Sequence, residues 1–435
     1  MPRRPHSSLS HAPLAPVAAA LRTGSLPVDR HVIEACDRLD AFDHMTRALL
    51  PEEGRRERLL REAATLTAQY PDIASRPPLY GVLVGVKDII AVTGMPTRAG
   101  SALPPEAFPL TEGPAVRRLR AAGALILGKT VTTEFAYFDP GATTNPHDPR
   151  RTPGGSSSGS AAAVAAGFAL VALGTQTVGS VIRPAAFCGV VGVKPTYGRI
   201  PTDGALYYSP SVDHIGFFTQ DAAGAQIVGS VLIDDWRTGI SMSASITLGV
   251  PDGRYLAQAE PAALQAFETS LRALEASGIT VLRIPALTDI EAVNRRHRAL
   301  STAEFREQHL ERFARWGSLV RGASASLFDD GAAVTAAERA EGFAGREGLR
   351  RELEALMDAH GIDAWVSPAA TGPAPIGLRS TGDPAMNLPW THTGMPAVTL
   401  PAGRVDSMPV GVQVVGRRGH DEELLALAEV LEPVL

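Results

Sequence analysis

Only two cysteines occur in the 435 residues, Cys36 and Cys188, and they lie far apart. That argues against a disulfide scaffold and fits a reducing compartment. No apolar run reaches the length of a membrane span, so no membrane partner is expected. The opening, Met1 to His6, is followed only by a weak apolar stretch, Pro16 to Leu21. That is too little for a signal peptide, which makes the cytoplasm the expected location. Charge of neither sign dominates: 41 Lys and Arg face 46 Asp and Glu, a net of −5. Nucleic acid is therefore not an expected partner. No HExxH pattern and no paired Cys/His spacing occurs, so neither a metal nor a cofactor is expected. Internal repeats are absent as well.

What remains is an ordinary soluble composition, 45% hydrophobic and 20% charged, in a chain long enough to bury a large core. Residues 1–10 are expected to be disordered. Short helical patterns cover Pro13–Leu21 and Asp29–Leu39, split at Gly24, and a surface helix fits Pro51–Tyr70. Residues 1–70 are thus expected to form a helical N-terminal layer, and 71–435 the main domain. An apolar β-type run spans Leu79–Val92. Helices are expected at Gly113–Ala122, Ala222–Leu232, Pro261–Ser277 and Glu422–Leu431. The third has Leu264, Phe267, Leu271 and Leu274 on one face and Gly278 as its stop. Strands are expected at Ala124–Gly128, around Cys188–Lys194, and at Ile246–Val250, Ile279–Leu282 and Ala364–Pro368. Residues 290–360 read as mostly helical and charged. Strands and helices mix throughout, which implies an α/β fold, an α/β/α layered domain.

The chain is organised around Thr152–Pro184. Two Gly/Ser loops, Gly154–Ser160 and Gly174–Ser180, flank an Ala-rich segment, Ala161–Ala166, that reads as a tightly packed buried helix. Such loops let backbone approach a ligand closely and present unpaired N–H groups at a helix start. A flexible linker is the plain alternative. A linker is not followed at once by an apolar helix and a strand such as Leu170–Leu173.

Three chemistries compete for these loops. Gly123–Thr130 matches the phosphate-loop pattern GxxxxGK[ST]. That loop needs a strand before the first glycine and a helix after the threonine. Here a helix precedes it and a strand lies between the glycines, so nucleotide binding is rejected. Gly155–Gly159 matches the nucleophile elbow G-x-S-x-G centred on Ser157, as in an α/β-hydrolase-type esterase. The preceding Asp148–Gly154 is rich in proline and cannot be a central strand. The triad would also need a later acid and histidine, and Asp213 and His214 are adjacent in sequence, so their side chains diverge. The third chemistry is serine activated by lysine. Lys87 sits in the apolar Leu79–Val92 run. A strand lysine is commonly at an edge facing water. A buried one loses hydration, its pKa falls, and it can act as a base. Position alone leaves both readings of Lys87 standing. Ser180 follows Thr177, Val178 and Gly179, whose N–H groups can converge on an oxyanion. Ser156 lies in the other loop, where its hydroxyl can relay a proton between Ser180 and Lys87.

The chain resembles the amidase signature family. The resemblance rests on Lys87 in G-V-K-D, on the T-P-G-G-S-S-S-G-S run with its Ala-rich continuation, and on G-T-Q-T-V-G-S-V-I-R-P ending at Pro184. The N-P-x-D-P turn from Asn145, the G-V-V-G-V-K-P-T-Y-G-R stretch to Arg199 and P-V-G-V-Q from Pro409 extend it over residues 11–435. Ser156 and Ser180 stand 24 positions apart, the family's usual offset. The resemblance implies a single layered domain with a mixed central sheet surrounded by helices. It implies a nucleophile at Ser180, a cis-peptide serine at Ser156, a base at Lys87 and oxyanion donors at Thr177, Val178, Gly179 and Ser180. It further implies an amidase cleaving the C–N bond of a small carboxylic amide through an acyl-enzyme, with carbamates, anilides and aryl esters as related electrophiles. Residues 245–360 would be the more variable part that shapes the substrate pocket. The protein would work as a monomer or homodimer.

Four positions depart from the family pattern. Ser158 and Val178 replace glycines, Gln176 replaces an aspartate, and Ile182 stands where an arginine is usual, with Arg183 one place later. Val178 can donate its N–H, but its branched Cβ makes a positive φ costly. This form of the motif is similar to a subgroup of stand-alone amidases. It is less like the A-type component of the glutamine-dependent tRNA amidotransferase, the chief alternative. Substrate-binding residues are expected at Gly155, Ser157, Glu134, Phe135 and Gln176, with further wall residues from 138–145 and 315–330 and at Trp390.

Overall fold

The computed structural model describes residues 9–240, 242 and 245–435. The expectation for residues 1–10 therefore falls largely outside the described residues. Helices α1 (Leu14–Thr23), α2 (Val28–Thr46) and α3 (Arg55–Gln69) come first. The first half of the sheet follows: β1 (Leu83–Lys87), α4 (Pro114–Ala121), β2 (Leu125–Thr130), α5 (Ser158–Ala165), β3 (Val171–Gln176), α6 (Ile182–Cys188), β4 (Val191–Lys194), β5 (His214–Thr219) and α7 (Ala222–Leu232). Next come β6 (Thr247–Asp252), α8 (Pro261–Ala276), β7 (Thr280–Pro285), and the long helices α9 (Ile290–Trp316), α10 (Gly322–Ala333) and α11 (Ala336–His360). The chain ends with β8 (Ala364–Pro368), α12 (Leu388–Thr393), β9 (Ala397–Val405), β10 (Met408–Val415) and α13 (Asp421–Leu431).

One ten-stranded sheet runs through the molecule in the order β2-β1-β3-β5-β4-β9-β10-β8-β6-β7. Its two ends are parallel (β2, β1 and β3; β8, β6 and β7), and the middle is antiparallel. The fold is a single domain with this mixed sheet surrounded by helices. One continuous hydrophobic core includes Leu14 of α1, Val84 of β1, Leu248 of β6 and Leu431 of α13. Every residue of β1, β2 and β3 is buried. Parallel strands covered on both faces are buried in this way, and their sequences read as apolar runs without alternation. At the sheet edge, Arg58 of α3 donates to the carbonyls of Ile126 (3.0 Å) and Leu127 (3.2 Å) of β2. Those edge acceptors would otherwise need water.

Local rules explain most element boundaries. Pro114 and Pro261 open α4 and α8 at positions whose N–H has no helical partner. Thr335 and Glu338 form a capping box at the start of α11. Gly278, at φ +93°, ends α8 in a conformation that side chains avoid.

Several expectations need correction. The second Gly/Ser segment is not a loop from Gly174: β3 continues through Gln176, and only Thr177–Val181 leaves the sheet. Gly174 sits inside the strand because Phe218 and Ser157 leave no room for a Cβ. Helix α5 begins at Ser158, so the first loop is shorter than the Gly/Ser composition suggests. Cys188 ends helix α6 and does not begin a strand. The helix was hidden by Pro184, which lies in its first turn, where proline costs no hydrogen bond. Helix α3 starts at Arg55, after Gly54, and α2 runs on to Thr46.

Candidate active site

The parallel run β2-β1-β3 delivers three chain segments to one edge of the sheet, at the strands' carboxyl ends. Ligands of open α/β sheets bind at such edges. Lys87 is the last residue of β1, and β3 leads directly into Thr177–Val181. The loop before α5 brings in Ser156.

Lys87 is completely buried. Its Nζ lies 2.7 Å from Ser156 Oγ and 2.7 Å from Thr175 Oγ1. Burial holds its ammonium well below the ordinary lysine range, with Asp213 the opposing charge. A neutral amine can accept a proton from the Ser156 hydroxyl. Of the two readings of Lys87, the buried one is what the structure contains.

The Gly155–Ser156 peptide is cis. The loop is pinned from both sides: Thr133 N donates to Ser156 O at 3.2 Å, and Arg183 Nη2 donates to Gly155 O at 2.7 Å. Arg183 Nε donates also to Thr381 O at 2.8 Å. Arg183 is buried, and burial lowers its pKa to about 10, with Asp383 opposing.

Ser180 is 8% exposed, and its hydroxyl bonds to no protein atom among the described residues. The N–H groups of Thr177, Val178, Gly179 and Ser180 likewise donate to no protein acceptor among the described residues. Val178 avoids the positive-φ region, so its branched side chain causes no strain. A Cβ at Gly179 would collide with Asn387 Oδ1, so glycine is required there. Gln176 explains how the loop is held without the family's aspartate. Its Oε1 accepts Val181 N at 2.8 Å and Ile182 N at 3.0 Å, while its Nε2 donates to Thr391 Oγ1 at 2.9 Å. It thereby satisfies orphan donors at the start of α6. Thr391 Oγ1 in turn donates to Val178 O at 2.6 Å.

The expected substrate-binding residues all make contacts within the protein. Gln176 has its polar atoms engaged within the protein. Ser157 Oγ is buried and bonded to both N and O of Thr175, each at 3.2 Å, which leaves no free nucleophile for an elbow mechanism. Gly155 meets Thr381, and a Cβ there would lie 2.7 Å from its methyl. Glu134 is buried and accepts Arg321 N at 3.0 Å. Phe135, at φ +49°, packs its ring against His309 (5.1 Å), Phe313 (6.0 Å) and Phe108 (6.2 Å). Trp390 is a core residue that donates to Tyr255 OH at 2.7 Å. Within 138–145, Thr143, Thr144 and Asn145 are tied to Arg47 O, Met45 O and Thr152 O, whereas Phe138 is exposed. From 315–330, Arg321 reaches back to Pro140 O and Gly100 O. Lys129 of the rejected phosphate loop is buried in a 3.0 Å ion pair with Asp88.

Sequence reasoning missed Thr175, Arg183, Thr381, Asn387 and Asp213 as parts of the site. Asp213 Oδ1 lies 2.6 Å from Thr177 Oγ1, and burial pushes its carboxyl up to about 7. Nothing in local sequence joins Asp213 or Thr381 to loops so far away in the chain.

The fold is a mixed sheet surrounded by helices, with a lysine and two loop serines gathered at one edge. The profile of the Amidase family matches residues 30–425, and the chain belongs to that family. Over 99% of its length it is 31% identical to the A-type component of the glutamyl-tRNA(Gln) amidotransferase of Nitratidesulfovibrio vulgaris (strain DP4), covering 98% of that protein. A crystal structure of an amidase superposes with TM-score 0.88 at 35% identity, covering 98% of this chain and all of that one. The native peptide amidase of Stenotrophomonas maltophilia superposes with TM-score 0.82 at 25% identity, over 98% and 97% of the two chains.

Proposed function

We propose that the protein cleaves the C–N bond of a carboxylic amide through an acyl-enzyme on Ser180. The observation that carries this is the buried contact of Lys87 Nζ with Ser156 Oγ, beside a loop of unpaired N–H groups that ends in Ser180. Ser180 Oγ attacks the carbonyl carbon and gives its proton to Ser156, which gives its own to Lys87. The N–H groups of Thr177, Val178, Gly179 and Ser180 hold the oxyanion. The proton returns through Ser156 to the leaving nitrogen, and the C–N bond breaks. Water, deprotonated by the same pair, then attacks the ester and releases the acid and free Ser180. The proton taken from that water passes back through Ser156 to Ser180 Oγ, so the triad ends as it began.

Two readings of the substrate follow. In the first, the protein acts alone on a small amide, with carbamates, anilides or aryl esters as further substrates. Similarity to a solved amidase and to a solved peptide amidase supports it. In the second, it is the A-type component of an amidotransferase and releases ammonia for a partner. Near full-length similarity to such amidotransferase components favours this reading. A hydrolysis screen of wild type against Ser180→Ala separates them, using aliphatic amides, anilides, carbamates, aryl esters and glutamine. Turnover by the lone chain on non-glutamine amides, lost in Ser180→Ala, supports the stand-alone enzyme. Activity confined to glutamine, or arising only with a partner, supports the amidotransferase component. Full activity in Ser180→Ala defeats both.

A further inference from the structure

Side-chain hydrogen bonds hold the loop of unpaired N–H groups at three points. Gln176 holds its exit into α6, and Thr391 holds the Val178 carbonyl. The third point is different, because it reaches into the charged helices of residues 290–360. Asp213 lies just before β5 and is 8% exposed. Its Oδ1 is 2.6 Å from Thr177 Oγ1. Its Oδ2 accepts Tyr208 N at 2.7 Å and Ser209 N at 2.9 Å. The carboxylate is thus fixed by two backbone donors and has one remaining direction, toward Thr177. The Tyr208–Asp213 turn is itself held from α9. Glu304, 5% exposed, accepts Ser209 Oγ at 2.7 Å, Ser211 N at 3.0 Å and Ser211 Oγ at 2.5 Å.

Thr177 is the first residue beyond β3, and its own N–H has no protein partner among the described residues. Its side-chain hydroxyl is tethered to Asp213. Oxyanion stabilisation depends on donors placed before the charge develops, and a displacement of about 1 Å can cost about 100-fold in rate. We propose that Asp213 is a positioning residue for the oxyanion loop, acting through the Thr177 hydroxyl, and that Glu304 sets the turn from which Asp213 acts. The proposal rests on the reading of Thr177–Ser180 as the oxyanion loop and of Ser180 as the nucleophile.

The test reads out Ser180 itself, so it does not depend on knowing the substrate. An aryl fluorophosphonate labels an activated serine, and its phosphoryl oxygen occupies the oxyanion hole. The kinact and KI of labelling are measured for wild type, Ser180→Ala, Thr177→Val, Thr177→Ser and Asp213→Asn. Thr177→Val removes the hydroxyl with little change of volume. It is expected to lower kinact about 10- to 100-fold with KI within about twofold, as for donors misplaced and not deleted. Thr177→Ser restores the hydroxyl and is expected to recover kinact to within about threefold of wild type, the difference between a misplaced and a held donor. Asp213→Asn keeps one acceptor but turns an N–H donor toward two backbone donors, and should lose at least as much as Thr177→Val. If Asp213→Asn fails to fold, the two Thr177 variants decide alone. Thr177→Val at the wild-type kinact, or Thr177→Ser as slow as Thr177→Val, overturns the positioning role while leaving Ser180 in place. Wild type unlabelled at Ser180, or Ser180→Ala labelled as fast as wild type, overturns the nucleophile and with it the proposal.

Discussion

Arg183 donates from Nη2 to the carbonyl of Gly155 at 2.7 Å, across 28 residues of chain. The two loops that carry Ser156 and Ser180 are therefore joined by one buried guanidinium, which also holds Thr381. Arg183→Met should leave the Gly155 and Thr381 carbonyls buried without that donor. Each orphaned acceptor costs about 1–3 kcal/mol, so the urea midpoint should fall by an amount equivalent to several kcal/mol. Labelling of Ser180 should slow as well, because the cis loop loses its anchor. Arg183→Lys should recover little, since one ammonium cannot serve both directions of the fork. Equilibrium unfolding with parallel labelling kinetics checks this, and an unchanged midpoint in Arg183→Met would contradict it.

Lys87 must be neutral to take a proton, and burial lowers its pKa. Activity should therefore rise with pH through a limb lying well below the usual lysine value of 10.5 and then level off. Lys87→Ala and Ser156→Ala should each cut the rate by several orders of magnitude. The double variant should be scarcely worse than either single, since the two residues pass one proton as a unit. A pH–rate profile and the double-mutant cycle measure both effects. Additive losses would show that the residues act separately.

Gln176 is a capping residue here, and its removal tests that role directly. Gln176→Ala leaves Val181 N and Ile182 N unpaired at the buried start of α6. A loss of about 1–3 kcal/mol in unfolding free energy is expected. Gln176→Glu keeps an acceptor and should lose less. A substrate-contact role would instead raise KM in Gln176→Ala with stability unchanged.

His297 and His392 face each other with Nδ1 atoms 3.3 Å apart. Burial lowers the pKa of His297 to about 3 and of His392 to about 2. In the unfolded chain both titrate near 6.5. Between the two ranges the unfolded state binds protons that the native state does not. Stability from this pair is then complete above about pH 6.5 and is lost as pH falls toward about 3, at up to about 1.4 kcal/mol per pH unit for each group. The double variant His297→Gln/His392→Asn should show a shallower fall of the urea midpoint between about pH 6.5 and about pH 4.5. An unchanged slope would place the pair's titration elsewhere.

Much of this was legible along the chain. The apolar runs at β1 and β3 and the period of α8 are local patterns, each set by burial of one face or of a whole strand. Pro261 and Gly278 mark the ends of α8 because their φ preferences act within one residue. The composition of the two loops marked close backbone approach, but it blurred their edges. Gly174 and Ser158 look like loop residues, yet they lie in β3 and α5, and at Gly174 Phe218 and Ser157 leave no room for a Cβ.

Periodicity and short motifs are enough to specify the layered α/β class, the strand that carries Lys87 and the pairing of two serine loops. Packing of distant segments was needed to bury Lys87 against Ser156, to make Gln176 the cap of α6, and to hold the loop before Ser180 with Arg183, Thr391 and Asp213. Those contacts depend on which far-separated segments meet at the carboxyl edge of β1 and β3. A hydrogen bond between Thr177 and Asp213, 36 residues apart, exists because β3 and β5 pair antiparallel in one register. Neither segment carries that register on its own.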